Sequence, residues 1–443
     1  MIQSICVIGL GYIGLPTASI FASNGFRVHG VDVDPRVVET INRGEIHIEE
    51  PGLRTLVQAA IHSGNLRAGL TPVEADAFIL AVPTPVTHDH KADLSYVEAA
   101  ARSILPHLRP GALVILESTS PPRTTQDVLL PILAESGLKL GTELFVAHSP
   151  ERVLPGKILK ELIQNSRVVG GVTPESSQRA RDLYASFVEG QIFLTDATTA
   201  EMVKLMENTY RDVNIALANE LAVLCGKLGI NAWDVVRMAN HHPRVHLHQP
   251  GPGVGGHCIS VDPWFLVEAL PEDAQLIALA RRINDGMPHR VAAVLRERLV
   301  GLSRPKVTLL GVTYKGNVDD TRESPALEVI ADLKEAGCEI GIYDPHVKDF
   351  AYPLSSIEEA FRDADAVVLL ADHAEFKYLS PRELRHLVRQ PLLLDTRKAL
   401  NLASWREAGF ETLLLGEIPL SGRVRQHRVP GLETAAIDEA SIG

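Results

Sequence analysis

Between residue 4 and Asp32 the chain can adopt very few folds. Residues 4–9 are apolar and rich in β-formers, and they run directly into Gly9-Leu-Gly11-Tyr-Ile-Gly14. A helical stretch follows to Asn24-Gly25, then Arg27-Val-His-Gly-Val31, which ends in Asp32, eighteen residues after Gly14. Strand, glycine turn, helix, strand and acid is the order in which a βαβ unit holds a dinucleotide. Gly9 permits the tight turn, Gly11 lets backbone approach a pyrophosphate, and Gly14 lets helix and strand pack closely. Tyr12 and Ile13 share that turn and join it as cofactor-binding candidates. Asp32 can accept hydrogen bonds from a ribose, which predicts NAD. Arg36, four residues on, could take a 2′-phosphate and keeps NADP open.

The alternation continues. Ala77–Val82 precedes Pro83-Thr84-Pro85, Leu113–Leu116 precedes Glu117-Ser-Thr119, and Phe145–Ala147 leads into His148-Ser-Pro-Glu151-Arg152. Apolar strands ending in polar turns predict a doubly wound parallel sheet with ligands outside the carboxyl ends. Pro83, Thr84, Thr119, Glu151 and Arg152 then fall on the binding edge, where each could equally be an ordinary turn residue. Residues 199 to about 229 carry the longest helical pattern, about 45 Å if continuous. Lys204 and Asn208 share one face of it. A second βαβ series starts at Val307 without a GxGxxG turn. It contains Lys315, Arg322 and, in Asp395-Thr-Arg397, a further cation; residues from about 424 read as a tail.

Pro250-Gly-Pro-Gly-Val-Gly-Gly-His-Cys258-Ile-Ser-Val-Asp262 is neither helix nor strand at its start, with four glycines and two prolines in seven residues. It presents one cysteine with an acid four residues on. Two readings stand: a structural cysteine buried at a tight turn, or a nucleophilic thiolate with room for substrate. His257 adjoins Cys258 in sequence, which points the two side chains apart, so it is not assigned as the thiol's base. His241, His242, His246, His248 and His257 crowd this region, but no carboxylate spacing completes a set of ligands, and no metal is expected.

At 443 residues, two or three domains are expected. A net charge of −12 argues against nucleic acid. Cys6, Cys225, Cys258 and Cys338 are scattered without a CxxC pair, which fits a reducing cytoplasm. No apolar run reaches the ~18 residues of a membrane span, and the N-terminus reads as a first strand rather than a signal peptide.

Taken together, these motifs resemble the UDP-glucose/GDP-mannose 6-dehydrogenase family from Met1 to about Arg423. The resemblance rests on the glycine turn, Glu117-Ser-Thr119, the Glu151 turn, Glu201-x-x-Lys204-x-x-x-Asn208, the cysteine loop, and Lys315 with Asp320-Thr-Arg322-Glu-Ser. Within the family, the cysteine loop through Trp264-Phe and Asn240-His-His-Pro243-Arg244-Val are most similar to the branch acting on UDP-N-acetyl-D-mannosamine. Two positions depart from the glucose branch: Val261 where a lysine is usual, and Pro155 where a second glutamate is usual.

The resemblance implies two Rossmann-like doubly wound parallel-sheet domains joined by a long central helix, with boundaries at 1–198, 199–300 and 301–443. It implies a four-electron oxidation of a C6 alcohol by two NAD and one water. Cys258 would form a thiohemiacetal and then a thioester, with Lys204 and Asn208 at the oxyanion. Asp262 and Glu151 would move protons, and Thr119 would hold a water. Arg152, Gly255, His257, Lys315, Arg322 and Arg397 would bind a UDP-N-acetylhexosamine, and Arg244 would reach into the neighbouring subunit of a homodimer. A two-electron hydroxyacid dehydrogenase would need no Cys258, and a nucleotide sensor would need none of Lys204, Asn208 and Cys258.

Overall fold

The computed structural model describes residues 2–87, 89–256 and 258–420. They divide into two compact units, Met1–Glu207 and a second that begins at Asn208. The predicted tail lies outside the described residues.

The first unit is built on eight strands: β1 (Ser4–Ile8), β2 (Arg27–Val31), β3 (Leu66–Gly69), β4 (Ala77–Leu80), β5 (Ala112–Leu116), β6 (Leu144–His148), β7 (Arg167–Gly171) and β8 (Ile192–Asp196). Their order in the sheet is β3-β2-β1-β4-β5-β6-β7-β8. Strands β4 to β7 are buried at every residue, because helices cover both faces of the sheet. Alternate residues feed two separate cores, Ile115 and Ala147 on one face, Val114 and Val146 on the other. Helix Gly14–Ser23 is buried from Gly14 to Ala22, and its buried hydroxyls are bonded, Ser19 to the Leu15 carbonyl at 2.7 Å and Thr17 to Glu117 at 3.4 Å.

The sheet departs from uniform parallel order at one place: β7 runs antiparallel to β6. The connecting helix Ile158–Gln164 has seven residues, about 10 Å, too short to carry the chain back across the sheet. Strand β7 therefore starts at the same edge where β6 ends. The register Ala147↔Gly171 and His148↔Gly170, continued, sets Arg167 opposite Glu151.

The second unit has five parallel strands: β9 (Lys306–Leu310), β10 (Glu339–Tyr343), β11 (Ala366–Leu369), β12 (Leu392–Asp395) and β13 (Glu411–Leu414), in the order β10-β9-β11-β12-β13. Four helices precede them in this unit: Ala232–Ala239, Asp262–Ala269, Gln275–Asp285 and Met287–Arg298. The long helix is continuous over Ala197–Leu228, thirty-two residues, so the boundary between the units falls inside it.

Both sheets begin with the same turn. Gly9 and Gly311 end their strands at φ 91° and 80°, a region open to glycine. The next residue then donates its N–H to the acid that follows the second strand: Leu10 to Asp32 at 3.0 Å, Val312 to Asp344 at 2.8 Å.

The β7–β8 extension depends on close packing at Gly170, where a Cβ would lie 2.2 Å from the Asp196 carbonyl oxygen and 2.6 Å from the Ala200 Cβ. Gly170→Ala is expected to destabilise the first unit by about 3 kcal/mol in urea unfolding. An unchanged midpoint would mean that the start of the long helix can move aside.

Candidate active site

The first unit's edge is shaped for a dinucleotide. A Cβ on Gly14 would meet the Gly9 carbonyl oxygen at 1.8 Å, whereas one on Gly11 would meet nothing within 4 Å. Gly14 therefore serves close packing, and Gly11 faces open space. Asp32 accepts N–H groups from Leu10 and Asp34 at 3.0 Å each. Arg36 forms an exposed ion pair with Asp34, at 2.8 Å, beside the helix cap. Tyr12 in the glycine turn is 44% exposed, and Val33, which follows Asp32, is 93% exposed. The Thr84 hydroxyl donates to the Thr119 carbonyl at 2.5 Å, and the Ser118 hydroxyl to Val82 at 2.6 Å, tying the turns after β4 and β5 together. Pro83 is exposed, and Ile13 and Thr119 are half-buried. His47, which no sequence spacing indicates, lies near enough to Asp32 and Asp34 to feel both carboxylates.

Glu151 is not a free carboxylate. One oxygen accepts the Arg152 N–H at 2.7 Å and the other accepts Arg167 Nη1 at 2.8 Å. Arg167 also donates to Glu117 at 2.6 Å and to the Ser149 hydroxyl at 2.8 Å. Burial pushes the Glu117 carboxyl up to about 6, against the pull of Arg167. The turn beyond Glu151 is held by Glu50, which accepts the N–H groups of Gly156 and Ile158 at 2.7 and 2.8 Å. Arg152 pairs with Glu207 at 2.5 Å. Glu201 accepts from the backbone and hydroxyl of Thr125 at 2.8 and 2.6 Å and from Arg123 N–H at 2.5 Å, anchoring the long helix. Lys204 is half-buried, and no ion pair among the described residues uses its ammonium.

In the second unit Cys258 is exposed. Its carbonyl accepts the N–H groups of Val261 and Asp262 at 3.2 and 2.9 Å, so the cysteine leads directly into helix Asp262–Ala269. Asp262 is buried and takes one amide hydrogen of Asn208, whose amide oxygen accepts from Arg211. Among the described residues, no partner takes the second amide hydrogen of Asn208. The loop's glycines serve packing within the protein. A Cβ on Gly255 would lie 2.2 Å from the Glu323 carbonyl oxygen, and one on Gly256 3.0 Å from the Tyr314 ring. Gly256 N–H donates to the Arg322 carbonyl at 3.1 Å. Burial pushes the Tyr314 hydroxyl up, with Asp320 and Cys258 adding to the effect. The sequence reading passes over Tyr314, although it directly precedes Lys315.

Lys315 is exposed, and Arg322 forks onto Asp320 at 2.8 and 2.6 Å. Arg397 donates to the Leu370 carbonyl at 3.1 Å, and its Nη1 lies 2.7 Å from where a Gly251 Cβ would be. Arg244 is exposed on a loop closed by Asn240, which bonds Leu247 in both directions. His257 lies outside the described residues. Among the described residues, one group of potential metal ligands converges: His346, His373 and Glu375. Both nitrogens of His373 are engaged there, Nδ1 accepting from Asn317 N–H at 2.9 Å and Nε2 beside Asp344 at 3.0 Å. His373 thus pins the loop that carries Lys315.

The sequence matches the models of the UDP-glucose/GDP-mannose dehydrogenase family over its NAD binding domain at residues 3–188, its central domain at 198–286 and its UDP binding domain at 308–402. A UDP-N-acetyl-D-mannosamine dehydrogenase of Methanococcus maripaludis is 50% identical over 424 residues, 94% of this chain and 97% of that protein. An NDP-N-acetyl-D-galactosaminuronic acid dehydrogenase of Ralstonia nicotianae is 47% identical, covering 89% of this chain and 96% of its own length. The solved UDP-D-ManNAc dehydrogenase of Pyrococcus horikoshii superposes with a TM-score of 0.88 at 43% identity, covering 94% of this chain and all of that one.

Asp32 as the acid that follows the second strand, with Arg36 paired to Asp34, predicts that NAD exceeds NADP in kcat/KM by about tenfold or more. Comparable use of both cofactors in a steady-state assay would give Arg36 the deciding role instead.

Proposed function

The chain belongs to the UDP-glucose/GDP-mannose dehydrogenase family, and from that premise we propose that it oxidises the C6 hydroxyl of UDP-N-acetyl-D-mannosamine to the uronate through a cysteine-bound intermediate. It is an NAD-dependent dehydrogenase acting on a UDP-sugar. The observation that carries the mechanism is the setting of Cys258. An exposed thiol stands one helical turn before Asp262, whose N–H donates to the Cys258 carbonyl and whose buried carboxylate accepts from the Asn208 amide.

Gly9, Gly11, Gly14 and Asp32 would hold NAD, which supplies the hydride acceptor. The first oxidation removes a hydride from C6 and a proton from its hydroxyl, giving an aldehyde. The Cys258 thiolate adds to it, and the oxyanion that forms takes up a proton. Lys204 and the free Asn208 hydrogen stabilise that oxyanion, at about 3 kcal/mol per well-placed donor. Loss of a second hydride from C6, together with the proton of the thiohemiacetal hydroxyl, yields the thioester, which water hydrolyses to the carboxylate and the thiol with release of a proton. Asp262 and Glu151 serve proton transfer, and Thr119 holds the water. Arg152, Gly255, His257, Lys315, Arg322 and Arg397 bind the UDP-sugar. Four cysteines scattered without a CxxC pair support a reducing cytoplasm as the working compartment.

The acetamido sugar is supported by Val261 and Pro155, by the cysteine loop and by the names of the relatives. The Ralstonia relative makes the galacto configuration the second reading. The active unit is a homodimer. Tyr210, Leu217 and Leu224 recur every seven residues along the long helix and are 58%, 50% and 52% exposed, an apolar seam suited to a second copy. Arg244 would reach the partner's site.

Each UDP-sugar should yield two NADH and one uronate, with UDP-N-acetyl-D-mannosamine preferred over UDP-N-acetylglucosamine, UDP-N-acetylgalactosamine and UDP-glucose in a spectrophotometric assay. Cys258→Ser should fold and lose at least about 100-fold in turnover, since a hydroxyl is a poor nucleophile at neutral pH. Near-normal turnover by that variant would sink covalent capture.

Arg244→Ala should raise KM without unfolding the protein. Mixed with Cys258→Ser it should recover partial activity in heterodimers, because one hybrid site then has both native residues. A verified heterodimer with no recovery would place Arg244 outside the partner's site.

A further inference from the structure

Arg167 stands between two buried carboxylates. Its side chain is 5% exposed, that of Glu117 0% and that of Glu151 8%. Nη2 donates to Glu117 at 2.6 Å, Nη1 to Glu151 at 2.8 Å and Nε to Ser149 at 2.8 Å, so all three faces of the guanidinium fork are used. The same guanidinium lies 3.8 Å over the Tyr184 ring, and the Tyr184 hydroxyl donates to Glu117 at 2.6 Å. From helix Gly14–Ser23, Thr17 offers Glu117 a longer hydrogen bond at 3.4 Å. Among the described residues, the Glu117 carboxylate bonds Thr17, Arg167 and Tyr184 and feels the charge of Glu151. One cation shared by two acids leaves the cluster one negative charge in excess, a costly arrangement for structure alone.

We propose that Glu117 and Arg167 are positioning residues that orient the Glu151 carboxylate and set its basicity for the oxidation. This rests on the reading of Glu151 as a proton-transfer group. With Glu117 ionised, Arg167 divides its charge between two carboxylates, and Glu151 remains a competent acceptor. With Glu117 protonated, the whole charge of Arg167 falls on Glu151 and weakens it as a base. Burial, the largest influence on Glu117, brings its carboxyl to about 6, so this change falls within the working range. Activity should therefore fall as the pH drops through that value.

The test is the pH dependence of kcat, from pH 5 to 9, in the full-length enzyme with NAD and UDP-N-acetyl-D-mannosamine. Glu151→Gln should lower kcat on the order of 100-fold. If it does not, the reading of Glu151 itself fails. Glu117→Gln, fixed in the neutral state, should remove the limb near pH 6 and lower kcat roughly three- to tenfold above it. Tyr184→Phe removes one hydrogen bond to the ionised carboxylate and should move the limb upward by roughly half a pH unit. Arg167→Lys should recover part of the activity that Arg167→Met loses. A loss in Glu151→Gln combined with wild-type profiles in both Glu117→Gln and Tyr184→Phe would overturn the proposal while leaving Glu151 in place. If Glu117→Gln fails to fold, Tyr184→Phe decides alone.

Discussion

Each half of this protein depends on one hydrogen bond between a backbone amide and the acid that closes the second strand. The bond forms only because a glycine turns the chain at a positive φ, at Gly9 in one sheet and Gly311 in the other. Without that turn, the residue after the glycine could not aim its N–H across to the neighbouring strand. The turn sets where the following chain leaves the sheet, and through this which side chains reach the ligand edge. In the first unit it leads into a buried helix. In the second it leads into the loop that His373 pins and that carries Tyr314 and Lys315.

The cysteine loop is joined to that second loop by close contact rather than by a hydrogen-bond ladder. Gly255 and Gly256 let it press onto the Glu323 carbonyl and the Tyr314 ring, and Gly253, at φ 140°, fits between Pro288 and Pro325. The place of the thiol is therefore set by the packing of the nucleotide-binding fold beneath it. Farther back, Asn219 accepts the Gly251 N–H at 2.9 Å and donates to Asn284. Asn284 in turn donates to Asp212, which pairs with buried Arg281 at 2.6 Å. The loop is thus tied to the long helix through fully buried polar groups, whose removal would leave unsatisfied partners.

Much of this is legible in the sequence, because strands buried on both faces must be apolar and because glycine is required at the two turns. The long helix, read over 199–229, spans Ala197–Leu228. What escaped is of one kind. The run Arg167-Val-Val-Gly-Gly reads as a strand but says nothing about its direction, and direction is what brings Arg167 opposite Glu151. Its charge at the head of an apolar run was a signal, yet its partners lie 16 and 50 residues away. Tyr314 and His373 escaped for the same reason: their roles come from contacts between loops that no local periodicity encodes. The glycines of the cysteine loop were legible as a demand for space, but not as space for another part of the chain.

Asp32 and Asp344 occupy equivalent places, but their lone pairs are used differently. A carboxylate offers about four acceptor positions. Asp32 fills two of them, with Leu10 and Asp34. Asp344 fills four, with Val312, His346, Val347 and His373. One acid can still read the hydroxyls of a ribose, while the other is saturated by its own fold. The two halves share a turn but differ in what it leaves open, since three backbone amides and one histidine occupy Asp344 while Asp32 keeps two acceptor positions.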